Sequence, residues 1–389
     1  MRKIRPGWMG FTLMYYGAKA VWQGYLSLYY AHLGFGPGRI GMIAGASALC
    51  ALLVQPLWGM AADRARRANR LLSLLCLASA AALLPALAGG GFGLQLMLAL
   101  LFYGFYCALL PMGDALLLQA LNHRGLAFGP YRLAGALSFA ICGGVFGRML
   151  EATDPQMTIW TAAALLLAAG ACALRLPPGE GSGSGRFSFG RLFRERKLLV
   201  LLAFMAPVQM TMGCFYALFA PHFASLEGGS GSLLGLSYAL ATLSELPYLL
   251  LSDRIFARFG AARPMCVSAA VLAIRWLLLG TGSTAHTALA SQLLHGGGFI
   301  VMSVSMARFI AAHVPKELQA SGQMLLSMVS FGAARAAGSL GGGFLAERIG
   351  SAGLFRLCAL VCLLAFCGFV RYAFRGKTQL SNYCSNTVR

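Results

Sequence analysis

A succession of about twelve apolar runs, each near the length of a membrane-crossing helix and separated by short polar turns, constrains this chain more than any other feature. A hydrocarbon core of ~30 Å takes about 20 residues of helix. The runs fall at 8–33, 38–61, 71–89, 94–120, 131–150, 156–175, 198–225, 232–252, 264–281, 285–312, 320–345 and 352–374. Lipid gives open backbone groups no partner, and ten-residue alternating segments are absent, so helices rather than strands are predicted. Of 389 residues, 58% are hydrophobic and 11% charged, against about a quarter charged in a soluble domain. The first run lacks a small-residue cleavage site and reads as a retained helix.

The net charge of +20 is a topology signal. Basic clusters fall at Arg2, Lys3 and Arg5; at Arg64, Arg66, Arg67 and Arg70; at Arg186, Arg191, Arg194, Arg196 and Lys197; at Arg254, Arg258 and Arg263; and at Arg371, Arg375 and Lys377. Each lies at the same end of alternate helices, while the other turns carry almost no Lys or Arg. The positive-inside rule then predicts a multi-pass protein of the cell inner membrane with both termini cytoplasmic. No nucleic-acid partner is expected. Ten of the 11 cysteines lie inside apolar runs and no CxxC occurs, so they read as small packing residues rather than disulfides or metal ligands.

The widest interruption, 176–197, is rich in Pro, Gly, Ser and basic residues and reads as a flexible cytoplasmic linker. It separates two six-helix bundles, 1–175 and 198–374, followed by a cytoplasmic tail, 375–389. The halves echo each other: QPLWGMAADR (55–64) with ELPYLLLSDR (245–254), and GGVFGRMLE (143–151) with GGGFLAERI (341–349). Parallel repeats about an axis along the membrane normal are one plan of secondary transporters. The predicted fold is an all-α integral membrane protein of twelve transmembrane helices in two parallel-related six-helix bundles.

Gly59, Asp63, Arg64 and Arg67, between the second and third helices, resemble the G-x-x-x-D-R/K-x-G-R/K-R/K loop of the major facilitator superfamily, with Arg66 where that pattern has glycine. PMGDALLLQAL (111–121), ELPYLLL (245–251), IRWLLL (274–279), QLLHGGGF (292–299) and P-x-E-L-x-A-x-G-Q (315–323) extend the likeness over nearly the whole chain. They resemble the branch containing phenylpropionate-type permeases, nucleoside–proton symporters and lactose permease relatives. That resemblance implies a proton-coupled importer working by alternating access, and it leaves sugars, nucleosides and aromatic acids open as solutes. The loop's acid and bases can form a latch that opening must break; the alternative is a plain cytoplasmic anchor.

Ionisable groups at bilayer depth cost ~3 kcal/mol or more each and are functional candidates. Only Asp114 and Glu245, among 11 acidic residues, lie within helices. At ~1.5 Å rise per residue, Glu245 and Arg275 reach the midplane on adjacent helices and form the leading pair, with Lys19, His295 and Arg335 at similar depth. Glu245 and Asp114 are the proton-coupling candidates, Arg275 and Arg132 their charge partners. A permanent structural ion pair is the alternative for each. Asp114 with Arg132 also resembles a charge pair across helices four and five in lactose permease relatives.

Polar stripes mark the expected cavity lining. Tyr238, Thr242, Glu245, Tyr248 and Ser252 recur at three- and four-residue steps, as do Thr12, Tyr15, Tyr16, Lys19, Trp22 and Gln23. The substrate-binding candidates are Tyr16, Lys19, Trp22, Gln23, Tyr238, Tyr248, Gln292, His295 and Arg335. Where lactose permease relatives resemble basic-x-x-His-x-x-acid, this chain reads Gln292, His295 and Gly298, so His295 is expected to contact substrate and to bond Gln292 or Glu245. A packing histidine is the alternative. Excess positive charge near the midplane favours an aromatic or other carboxylate, with nucleoside or sugar still open.

The expected function is secondary active transport by a monomer, with a small-molecule solute, protons and the bilayer as partners and no cofactor. Efflux antiport of an amphiphile and a non-transporting scaffold or sensor are the alternatives. No nucleophile with a nearby base, phosphate loop or metal-spaced cluster suggests an enzyme.

Overall fold

The computed structural model describes residues 6–122, 126, 128–178, 196–314 and 319–375. The linker stretch 179–195, tail residues 376–389, Arg2, Lys3, Arg5 and residues 315–318 of the P-x-E-L motif lie outside the described residues. The elements are α1 (Pro6–His32), α2 (Pro37–Arg64), α3 (Ala68–Leu83), α4 (Phe92–Tyr106), α5 (Leu109–Asn122), α6 (Gly129–Glu151), α7 (Met157–Ala173), α8 (Arg196–Ala224), α9 (Gly231–Phe259), α10 (Ala262–Thr281), α11 (Ala285–Gln292), α12 (Val301–His313), α13 (Gln319–Leu326) and α14 (Arg335–Arg375). No strand forms among them.

All twelve apolar runs lie in helix. Eight helices among the described residues are long and apolar enough to cross a bilayer, or nine if the bent pair Ala285–Gln292 and Gly296–Ala312 is one span. The difference from twelve has local causes. α1 is a continuous helix made less apolar by Lys19, Gln23 and its tyrosines, α7 has 17 residues, and the last two runs form one fifty-residue stretch, Gly322–Arg371, within which Gly350 turns the chain at φ 72°. Side chains such as Leu53 and Leu250, 72% and 84% exposed, face outward, as a lipid-facing surface requires. The ten described cysteines are free; Cys76, Cys214, Cys358 and Cys362 are buried, whereas Cys367 is exposed.

Breaks in the helices follow from the residues present. Pro37 opens α2 after Gly36, using a position whose N–H has no intrahelical partner. The Ser230 side chain caps α9 by accepting from Leu233 N at 3.2 Å, and Gly260 ends that helix at φ 67°. Gly296–Ile300 and Ser327–Ala334 are π-helical, a geometry that is rare and concentrated at functional sites.

α1 is held by α6 and α7, α3 by α4 and α7, and α14 by α8 and α10. Across the linker, α1 and α2 pack on α8, but the two most extensive contacts between the segments before it and those after it are α6 against α9 and α2 against α14. Both are tightest at the end away from the arginine clusters, where glycines bring backbones together. The acid that closes each is a carboxylate on a helix N-terminus. Glu151, ending α6, accepts from Ser232 N at 2.9 Å and Ser232 Oγ at 2.7 Å, and Glu347 on α14 accepts from Gly38 N at 3.1 Å. The positive end of a helix favours such a carboxylate. Replacing both with alanine is expected to raise the share of molecules open at this end severalfold, read as longer distances between spin labels on the α6 and α9 ends. An unchanged distance distribution would show that the glycine contacts suffice.

Candidate functional site

A cavity of 1120 Å³ lies between α1, α2, α4 and α5 on one side and α8, the second π segment and α14 on the other. It reaches Gly59, Met60 and Asp63 at the arginine-rich end, while the α6–α9 and α2–α14 contacts shut the opposite end. Four predicted binding residues line it: Lys19, Trp22, Gln23 and Arg335. Gly59 and Asp63 of the loop line its mouth. Asp63 makes no ion pair among the described residues, and Arg64 and Arg67 are exposed.

Lys19 projects from α1 with its ammonium 5.6 Å from the Tyr16 ring centre. Arg335 stands across the cavity at the start of α14. Its Nε donates to Gln209 Oε1 at 3.1 Å, and its guanidinium lies over Phe331, Tyr216 and Phe299 at 4.7, 5.1 and 5.5 Å. Its Nη2 is buried without a partner among the described residues. Neither cation meets a carboxylate within ion-pair distance among the described residues. Aromatic wall comes from Trp22, which meets Tyr103 and Tyr106 edge-on at 4.8 and 5.1 Å. An apolar body with an anionic head suits these walls: stacking faces for the body, two cations from opposite sides for the head.

The expected Glu245–Arg275 pair does not form. Arg275 is fully buried and turns toward α11, donating from Nη2 to Gln292 Oε1 at 2.7 Å, with Phe215 and Trp276 against its guanidinium at 4.3 and 4.7 Å. Glu245 instead meets His295, Oε1 to Nε2 at 3.3 Å. The bend after α11 explains the exchange. Ser244 Oγ accepts from Gly296 N at 2.8 Å, and a Cβ at Gly296 would stand 2.0 Å from Ser244 O, so only glycine lets this turn press onto α9 and bring His295 to Glu245. The expected bond between His295 and Glu245 is present, but neither residue lines the cavity. His295, 7% exposed, stacks on Phe299 at 5.2 Å.

Four further binding candidates also lie off the cavity wall. Tyr16 accepts a hydrogen bond from Arg132 Nη1. Tyr238 donates to Gly24 O at 3.0 Å, making it a strut between α9 and α1. Tyr248 rests against Gly297, where an added Cβ would stand 3.0 Å from its hydroxyl. Gln292 is taken by Arg275. The α9 stripe is thus an interhelical seam, because helical periodicity identifies a polar face but not what it faces. Asp114 and Arg132 do pair, at 3.4 Å.

Sequence reasoning missed Tyr216, Phe331, Tyr103 and Tyr106 in the wall and Gln209 behind Arg335. Gln209 was detectable as a polar residue in an apolar stretch of α8, and Tyr103 with Tyr106 as an aromatic pair three residues apart; nothing distinguished Phe331 from lipid-facing phenylalanines.

The MFS_1 like family matches residues 8–357. The chain is 29% identical over 341 residues to maltose permease of Geobacillus stearothermophilus, covering 84% of each. It is 26% identical over 364 residues to the probable 3-phenylpropionic acid transporter of Escherichia coli (strain K12), covering 90% of this chain and 93% of that one. Among solved structures, nucleoside transporter NupG superposes with TM-score 0.85 at 16% identity, covering 94% of this chain and 98% of that one. An inner cavity between cross-packed helices, the long apolar helices and these likenesses together make the chain a membrane transporter of the major facilitator type, belonging to the MFS_1 like family.

Proposed function

We propose that the protein is a proton-coupled symporter of a small organic solute, an aromatic or other carboxylate in preference to a nucleoside or sugar, working by alternating access. Its cavity carries Lys19 and Arg335 on opposite sides with no carboxylate within ion-pair distance of either among the described residues, and that observation supports the reading most. The relatives are permeases named for maltose and 3-phenylpropionic acid, with a xanthosine permease of Escherichia coli (strain K12) 23% identical over 323 residues, so their names alone leave the solute class open.

In this reading 1–175 and 198–374 are two bodies that rock about the cavity, and both termini are cytoplasmic in an inner membrane. The cavity then faces the cytoplasm. Asp63 and its arginines form the latch of the opposite state, and Glu151 and Glu347 hold this one. Glu245 with His295 is the proton site; Asp114 with Arg132 is a second candidate.

Proteoliposome uptake of labelled 3-phenylpropionate, maltose and xanthosine, with and without an imposed pH gradient, tests the reading. 3-Phenylpropionate is expected to accumulate only with the gradient. Lys19→Gln and Arg335→Gln are each expected to weaken its binding by about 10–100-fold, the worth of a hydrogen bond to a charged group. Equal uptake without the gradient refutes the coupling, and uptake of maltose or xanthosine alone refutes the solute class.

A further inference from the structure

We infer that Phe299 is a positioning residue that ties solute binding at Arg335 to the Glu245–His295 pair. The inference deepens the symport reading and rests on it.

One ring stands between a cation of the cavity wall and an acid–imidazole pair behind the wall. Arg335 Cζ is 5.5 Å from the Phe299 ring centre. His295 stacks on the same ring at 5.2 Å, with planes 25° apart, and its Nε2 is 3.3 Å from Glu245 Oε1. Both outer members retain hydrogen-bonding capacity, since Arg335 Nη2 and His295 Nδ1 are buried without partners among the described residues. Both also border altered backbone: His295 immediately precedes Gly296–Ile300, which carries Phe299, and Arg335 follows Ser327–Ala334. A π turn can relax by one residue, which would rotate either side chain relative to the ring.

Charged and titratable groups on four neighbouring helices lie close enough to act electrostatically on the pair: Arg275 on α10, Arg335 on α14, Lys19 and Tyr16 on α1, and Tyr216 on α8. A solute carboxylate on Arg335 cancels one of the three cations. Proton and anion binding then reinforce each other, and the coupling is reciprocal. Phe299 keeps water out of the gap between guanidinium and imidazole, so the charge on one is felt at the other with little screening. A residue without the ring leaves both binding groups in place but loosens their connection.

Affinity of the purified full chain for 3-phenylpropionate, measured by thermal stabilisation at about pH 5.5 and about pH 7.5, provides the test. Wild type is expected to bind at least about fivefold more tightly at the lower pH. Phe299→Leu is expected to bind at the higher pH within about threefold of wild type, with the ratio between the two pH values reduced to less than about twofold. Phe299→Tyr restores the ratio. Should the leucine variant fail to fold, Phe299→Met gives the same comparison. A full ratio in folded Phe299→Leu overturns the inference and leaves the symport reading standing. A full ratio in Glu245→Gln assigns the pH dependence to the solute and overturns it as well. Absence of 3-phenylpropionate binding by wild type at both pH values overturns it through failure of the anionic-solute reading, a result separate from the other two.

Discussion

Glu245→Gln protein in liposomes is expected to exchange solute across the membrane yet fail to accumulate it when a pH gradient is imposed. Glutamine has nearly the size of glutamate and its Oε1 can still accept from His295 Nε2, so the 3.3 Å contact is retained as a hydrogen bond. It cannot carry the proton. A gradient of about one pH unit is worth about 1.4 kcal/mol per proton, which gives about tenfold accumulation at one proton per solute. Wild type should approach that ratio and the variant should stay near unity. Tenfold accumulation by the variant would remove Glu245 from the coupling and turn attention to Asp114.

Gly147→Val and Gly41→Val are expected to hold the transporter open at the end where it is now closed. A Cβ at Gly147 would stand 2.1 Å from Gly231 O and 2.5 Å from Tyr25 Oη, and one at Gly41 would stand 2.4 Å from Ser339 O. The obstacles are mainly backbone, so a rotamer change cannot relieve them and the helices must separate. Overpacking of this kind costs about 1–3 kcal/mol, a shift of about 5–150-fold between conformations. Because both contacts break together when that end opens, the cost falls on the closed state. Distances between labels on the α6 and α9 ends should lengthen, those across Asp63 and the second π segment should shorten, and net transport should fall by a similar factor. Normal transport with unchanged distances would mean that the α6–α9 and α2–α14 contacts do not form the gate.

The helices and the charged residues among them were legible because burial in lipid is a one-dimensional property: an apolar run of sufficient length has few alternatives to helix. The repeat was legible in part. The echoes of 55–64 with 245–254 and 143–151 with 341–349 mark the four helices that meet at the closed end, although the segments that echo each other are not the ones in contact. The partner of Glu245 was legible only as an alternative: His295 was expected to bond Gln292 or Glu245 and does meet Glu245, whereas Arg275, the leading partner, turns to Gln292. Depth counting fixes one coordinate out of three, and the direction of Arg275 toward Gln292 depends on how Phe215 and Trp276 pack around its guanidinium.

His295 shows the division most clearly. Composition, periodicity and the positions of Lys and Arg were enough to determine a helical membrane protein with ionisable groups at bilayer depth, since each of those signals depends only on distance along the chain. That His295 faces Glu245 and Phe299 rather than the cavity was decided by the tertiary structure, through the bend after α11, the π turn at Gly296–Ile300 and the approach of Gly296 to Ser244. Those features arise where two helices compete for the same space, and the outcome of that competition is set by the shapes of both partners together.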